Sequence, residues 1–311
     1  MKDYKFIFGP IPSRRLGTSL GVSPIPKKYC SYSCIYCQVG RTDHLTDKRE
    51  DFFPLEDILE EFKDYIKDKE DFNVVTVVGE GEPTLYKSLG KLIHELKKLT
   101  SKPVVVITNG ATLGEKEVRE DLMECDIVLP SMDAFDEESF KKIHRPHGRI
   151  KFEDSYEGLI EFSKEFKGEL WLEVMLIEGI NTSEEDLVKL KALIDKINYS
   201  RIFINAPVRP PAEENISIPP KESIERAKKI LGGFSIDSLT TGSFSSGIVD
   251  NYHAILNIIK RHPMNQFEIS SFLKDRNCNS EKIDSYFNKL NNDPAVQIVE
   301  YKGYFTYRIK N

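Results

Sequence analysis

NVVTVVGEGEPTLYKSLGKLIHELKKLTSKPVVVITNG, residues 73–110, decides the fold. Its two ends, NVVTVVG (73–79) and PVVVITNG (103–110), are β-branched and uncharged and read as buried strands. Between them, SLGKLIHELKKL (88–99) repeats apolar residues at helical spacing. Two apolar strands joined by a helical crossover must lie parallel in a sheet that helices cover. The same alternation extends outward. Toward the C-terminus come the helix GEKEVREDLMEC (114–125), the strand DIVLPSMD (126–133), the helix DSYEGLIEFSKEF (154–166) and the strand ELWLEVMLI (169–177). Thr182 and Glu185 form a capping box for the helix SEEDLVKLKALIDKI, followed by the strand RIFINAPV (201–208) and the helix PPKESIERAKKIL (219–231). Toward the N-terminus lie the helix PLEDILEEFKDYI (54–66) and a first strand, SLGVSPI (19–25). Six strand–helix units in strict alternation predict an α/β fold, and six are too few for a complete eight-unit barrel.

The 311 residues carry 44 basic and 50 acidic side chains, a formal charge of −6. A 40% apolar content excludes global disorder, and no apolar run is long enough to cross a bilayer. The expectation is a cytoplasmic protein with no membrane partner, and the acidity argues against a general coat for polyanions. The segment GGFSIDSLTTGSFSSG (232–247) reads as a linker. After it, three short helical patterns and two strands meeting at Lys302-Gly303 suggest a small winged-helix-like unit. The expected division is 1–231, a linker at 232–250, and 251–311. The last piece has nine basic and six acidic residues, so it is +3 against −9 for the rest.

Three of the five cysteines fall within eight residues, as Cys30-x3-Cys34-x2-Cys37, just after the first strand. A disulfide scaffold needs many more, spread through a short chain. Thiolates are soft ligands for zinc and for iron–sulfur clusters, and both ordinarily take four protein ligands when the site is closed. Three in one tight loop leave a coordination position for something else. The alternative reading is a Cys3His zinc site completed by His44, in a binding or regulatory protein whose small unit touches nucleic acid. Cys125 and Cys278 stand alone, which leaves no second cluster.

CSYSCIYC (30–37) resembles the cluster-binding loop of the radical S-adenosylmethionine (SAM) enzymes, Cx3CxΦC, with Tyr36 at the aromatic position. The resemblance implies a partial (β/α)6 barrel and one [4Fe–4S] cluster on Cys30, Cys34 and Cys37. It also implies SAM on the fourth iron, cleaved reductively to a 5′-deoxyadenosyl radical that abstracts hydrogen. In parallel folds the sites collect at the carboxyl ends of strands. There Gly79-Glu80-Gly81-Glu82-Pro83-Thr84 is similar to the family's GGE motif, with Glu80 where that motif has glycine. By that likeness Gly81 permits close backbone approach and Glu82 accepts from the methionine ammonium. Asn109 ends the next strand. Ser131 and Asp133 follow at period two, where the family binds ribose hydroxyls. Glu173 is a lone acid among apolar neighbours and must meet a cation or a hydroxyl.

Arg14, Arg15, Asn205 and Arg209 are candidate substrate contacts. Over residues 8–215 the chain resembles a radical SAM group distantly akin to the archaeal wyosine synthetases, without their second set of cluster cysteines. The implied electron donor is a reduced flavodoxin or ferredoxin. The radical's product, and an oxidoreductase, transferase or lyase outcome, stay open. The favoured substrates are a protein or peptide, or a tRNA. The helical stretch SEKIDSYFNKLNND has two lysines against three acids, which argues against DNA.

Overall fold

The structure is a computed structural model, and it describes residues 4–67, 71–236 and 244–310. The chain forms β1 (Ile7–Ser13), β2 (Gly17–Val22), the short β3 (Tyr29–Cys30) and β4 (His44–Leu45), then α1 (Leu55–Ile66) and β5 (Val74–Val77). Next come α2 (Leu89–Leu99), β6 (Val104–Thr108), α3 (Lys116–Leu122), β7 (Ile127–Pro130), α4 (Glu137–His144) and α5 (Phe152–Glu165). They are followed by β8 (Glu169–Met175), α6 (Glu184–Ile194), β9 (Arg201–Asn205), α7 (Lys221–Leu231) and β10 (Phe234–Ser235). The remainder is α8 (Asn251–Arg261), β11 (Met264–Asn265), α9 (Gln266–Asp275), α10 (Ser280–Asn292), β12 (Val296–Tyr301) and β13 (Tyr304–Ile309).

The main sheet has eight strands in the order β1-β2-β5-β6-β7-β8-β9-β10. From β2 to β10 every neighbouring pair is parallel. The apolar strands are buried as their composition requires, with Val74–Val77 and Ile127–Pro130 buried throughout. Helices bury one stripe each, Ile58, Leu59, Phe62 and Tyr65 in α1 and Leu89, Leu92, Ile93 and Leu96 in α2. Those stripes pack with Val75, Val77, Val104 and Val106 into the main core. A second layer of strand side chains, Val74, Val105, Ile127, Trp171 and Phe203, packs around Leu16.

Three elements differ from the sequence reading. Ahead of the first expected strand, the stretch around GPIPSRR contains β1, which pairs antiparallel with β2 and leaves Arg14 and Arg15 in the turn between them. Two prolines hid it, because proline lacks an N–H and is tolerated only at a sheet edge, where β1 lies. Helix α4 went unread because it is short, yet it has a reciprocal capping box between Asp136 and Ser139. The cap of α6 is one residue later than expected: Ser183 accepts from Asp186 N, and Thr182 Oγ1 accepts from Gly179 N at 3.3 Å instead.

Within the stretch expected as linker, Phe234–Ser235 extend the sheet as β10, and Phe244 and Ile248 are buried against the C-terminal helices. Residues 237–243 lie outside the described residues. The C-terminal helices carry a three-stranded sheet in the order β11-β13-β12. Its hairpin turns at Lys302 and Gly303, both with positive φ, as such two-residue turns require. Ile255, Ile258, Ile259, Phe272 and Leu273 form the small core, and Phe8 and Ile11 of β1 belong to it.

Candidate metal centre

The loop leaving β2 turns at Lys28 and runs through Cys30, Cys34 and Cys37, all three free and partly covered. Backbone turns, Cys37 N to Cys34 O and Gly40 N to Cys37 O at 3.1 Å each, fold it back on itself. Burial pushes the Cys30 thiol up to about 12, helped by Glu82, and raises Cys34, helped by Cys30 and Cys37. Burial raises Cys37 too. Cys37 raises both of the others and Cys30 raises Cys34, so the three thiols lie close together, and a metal that displaces their protons balances the thiolate charge. Among the described residues no three His, Cys, Asp or Glu side chains converge on a single metal ion. The donor set itself, three soft thiolates in one loop, fits an iron–sulfur cluster.

The segment after β5 packs directly on this loop. Glu82 N donates to Tyr29 O at 3.0 Å, and a side chain at Gly81 would put its Cβ 2.0 Å from that same oxygen. The Glu82 carboxylate is buried and accepts from Thr84 N, Thr84 Oγ1, Thr108 Oγ1 and Asn109 N, at 2.5–3.1 Å. Burial still raises it, against those donors. Asn109 links both sides: its Nδ2 donates to Ser31 Oγ at 3.0 Å and lies 3.5 Å from Cys30 Sγ.

On the opposite wall, Tyr36 Oη donates to Asp133 Oδ2 at 2.5 Å, and Met175 N donates to Oδ1 at 2.7 Å. Burial pushes Asp133 up to about 7 and His144 down to about 3. His144 has Nδ1 3.3 Å from Cys34 Sγ and Nε2 3.6 Å from Asp133. The alternative zinc reading takes His44 as the fourth ligand beside the thiols. His44 is exposed and stacks on Tyr29, with ring centroids 4.2 Å apart, because the loop folds between them. His144 was missed together with its helix.

Ser131 bridges to Glu173 in parallel backbone pairing. Glu173 meets a cation and an amide, forming an ion pair with Arg15 and accepting from Asn205 Nδ2 at 2.9 Å. Arg209 also finds a carboxylate, but one of this chain: both its terminal nitrogens donate to Glu268 of α9, at 2.6 and 2.7 Å. Its Nη2 lies 3.1 Å from His262 Nε2. Glu80, the departure from the GGE pattern, is 5% exposed and faces Arg261 Nε at 3.6 Å and Lys260 Nζ at 4.0 Å, both on α8. Three candidate residues, Arg15, Glu173 and Asn205, thus meet, whereas Arg209 turns to the C-terminal helices and Arg14 lies in the turn before β2. The partners Arg261, Glu268 and His262 carry no motif, so only the fold reveals them.

A parallel α/β sheet thus carries three thiols, a buried glutamate and an asparagine at its strand ends, a donor set suited to a metal centre. Residues 25–190 match the Radical SAM superfamily, and the chain belongs to it. Over 96% of its length it is 35% identical to a UPF0026 protein of Methanocaldococcus jannaschii, covering 94% of that protein. It is 42% identical over 72% of its length to a protein of Brachyspira hyodysenteriae named GTPase Obg, but spans only 33% of that relative. Its fold is similar to a radical SAM methyltransferase from Sphaerobacter thermophilus, with a TM-score of 0.54 at 16% identity over 71% of this chain and 67% of that one. It is also similar to TYW1 with a lysine-pyruvate adduct bound, with a TM-score of 0.51 at 22% identity over 70% and 74%. At these identities the likeness concerns the fold. No helix among the described residues is long and apolar enough to cross a membrane.

Proposed function

We propose that this chain is a radical SAM enzyme that binds one [4Fe–4S] cluster through Cys30, Cys34 and Cys37 and SAM beside it. When bound, that pair supplies one-electron reductive cleavage of the sulfonium and a 5′-deoxyadenosyl radical for hydrogen abstraction. The observation that carries the reading is the junction at Asn109, which ties the Cys30–Ser31 turn to the buried carboxylate of Glu82. Glu82 is fixed by four protein donors and offers its remaining acceptor capacity to the methionine ammonium. Gly81 lets that backbone lie against the cysteine loop. Tyr36 and Asp133 brace one another, so Asp133 acts chiefly to orient the loop. Ser131 and Glu173 flank the place where ribose hydroxyls would be held, with Arg15 and Asn205 orienting Glu173. Arg14 and Arg15 are left as contacts to substrate, and Asn205 as a positioning residue.

The strand–helix order supports a partial (β/α)6 barrel over residues 1–231, and α8–α10 with the terminal hairpin support a winged-helix-like unit over 251–311. Electrons come from a reduced flavodoxin or ferredoxin, and the protein works in the cytoplasm on a peptide or tRNA substrate. Anaerobic reconstitution with iron and sulfide tests the reading. The wild type is expected to gain four irons per chain, by the donor count of such clusters, and to release 5′-deoxyadenosine from SAM under dithionite. Cys34→Ser is expected to lose both. Zinc at one per chain, with no visible chromophore after reconstitution, would sink it.

A further inference from the structure

The terminal hairpin reaches the cysteine loop. Lys27 Nζ donates to Lys310 O at 3.3 Å, and Tyr301 Oη donates to Pro207 O at 2.8 Å. These contacts seat the β12–β13 hairpin between the entry to the cysteine motif and the exit of β9. Arg308, on β13, uses Nε to donate to Gln297 Oε1 at 2.9 Å. Its Nη1 is buried without a hydrogen-bond partner. A buried, unpaired guanidinium N–H is costly and ordinarily has an acceptor in the working state. Lys28 is 3% exposed, and its ammonium is 3.8 Å from the exposed carboxylate of Asp43. Lys28 and Arg308, from opposite ends of the chain, therefore lie where the terminal hairpin closes on the entry to the cysteine loop.

A cluster held by three thiolates is net negative, and becomes more so by one electron on reduction. Fixed positive charge and donated hydrogen bonds at its edge favour the reduced form, which is how proteins tune such potentials. We propose that Arg308, with Lys28, forms a cationic wall at the entry to the cysteine loop that raises the reduction potential of the bound cluster. The C-terminal unit then contributes a residue to the electron-transfer site. This inference rests on the cluster reading above.

The test is an EPR-monitored redox titration of reconstituted wild type, Arg308→Gln, Arg308→Lys and Lys28→Gln, with iron and sulfide counted in each and SAM both absent and present. Arg308→Gln is expected to lower the reduced-to-oxidised ratio at a fixed potential about tenfold, or 59 mV for a one-electron couple. Arg308→Lys is expected to restore most of it. An unmoved midpoint in Arg308→Gln at full cluster content overturns the wall, as does an equal shift in Arg308→Lys. A shift seen only with SAM present also overturns it, assigning Arg308 to the SAM carboxylate instead. If Arg308→Gln fails to hold a cluster, Lys28→Gln carries the test: the same downward shift supports the wall, and none refutes it. Wild-type protein that takes up no iron overturns the cluster reading itself, which is a separate result from an unmoved midpoint.

Discussion

Gly81 illustrates how much one missing methyl group decides. The Cβ of alanine there would meet Tyr29 O at 2.0 Å and Ile25 Cγ2 at 2.7 Å, and the backbone oxygen has no freedom to retreat because it accepts from Glu82 N. Gly81→Ala is therefore expected to destabilise the metal-free protein by about 1–3 kcal/mol, read by urea unfolding. It is also expected to lower cluster retention after gel filtration. At this scale the sequence was legible where chemistry is local. Cysteine spacing and the GEGEPT turn are read off adjacent positions, and Glu173 had to find a partner because an unpaired buried acid is too costly. Glu80 was not legible: its counter-charges, Arg261 and Lys260, lie in the other half of the chain, and no spacing rule connects them.

Secondary-structure elements were legible in proportion to their periodicity. Helices α1, α2 and α7 and strands β5, β6 and β8 follow from repeats that local sterics and burial enforce. Strand β1 escaped because edge position, a tertiary property, is what makes its prolines acceptable. The C-cap of α8 raises a question of pH. His262 is buried and, with Arg209, Arg14 and Arg15 nearby, is held well below the ordinary imidazole range, so it stays neutral in the fold. The unfolded chain takes up that proton at about pH 6.5, so stability is kept above that value and lost as pH falls. His144, held down to about 3, adds a loss of the same sign. Denaturant unfolding between pH 7.5 and 5 is expected to steepen toward about 1.4 kcal/mol per pH unit for each histidine. His262→Gln, which can still accept from Arg209, is expected to remove one of the two contributions. A slope unchanged by the substitution would falsify the assignment.

At the scale of the whole molecule, the C-terminal helices are bound to the sheet by charge at two places and by apolar packing at a third. Arg209 and Glu268 form a two-pronged pair that is 13% and 27% exposed. Such partly covered, bidentate pairs exceed the usual surface bridge. A double-mutant cycle with Arg209→Met and Glu268→Gln is expected to give a coupling of about 1–2 kcal/mol in global unfolding. Coupling near zero would mean that the two units unfold independently. None of this docking was legible, since the reading divided the chain at its change of pattern, and a change of pattern says nothing about which surfaces meet.

The apolar contact has a consequence for how the protein is made. Phe8 and Ile11 lie in one core with Ile255, Ile258, Phe272 and Leu273. Backbone oxygens of Tyr4, Lys5 and Pro10 accept hydrogen bonds from Asn257, Arg261 and Ser245. During translation, β1 emerges long before any of those partners exists. Its apolar face must wait, exposed, while some 230 residues are added, at about 5–20 residues per second. Through that interval the nascent chain carries an uncovered sheet edge, and its two prolines keep that edge from recruiting a neighbour on the same ribosome cluster.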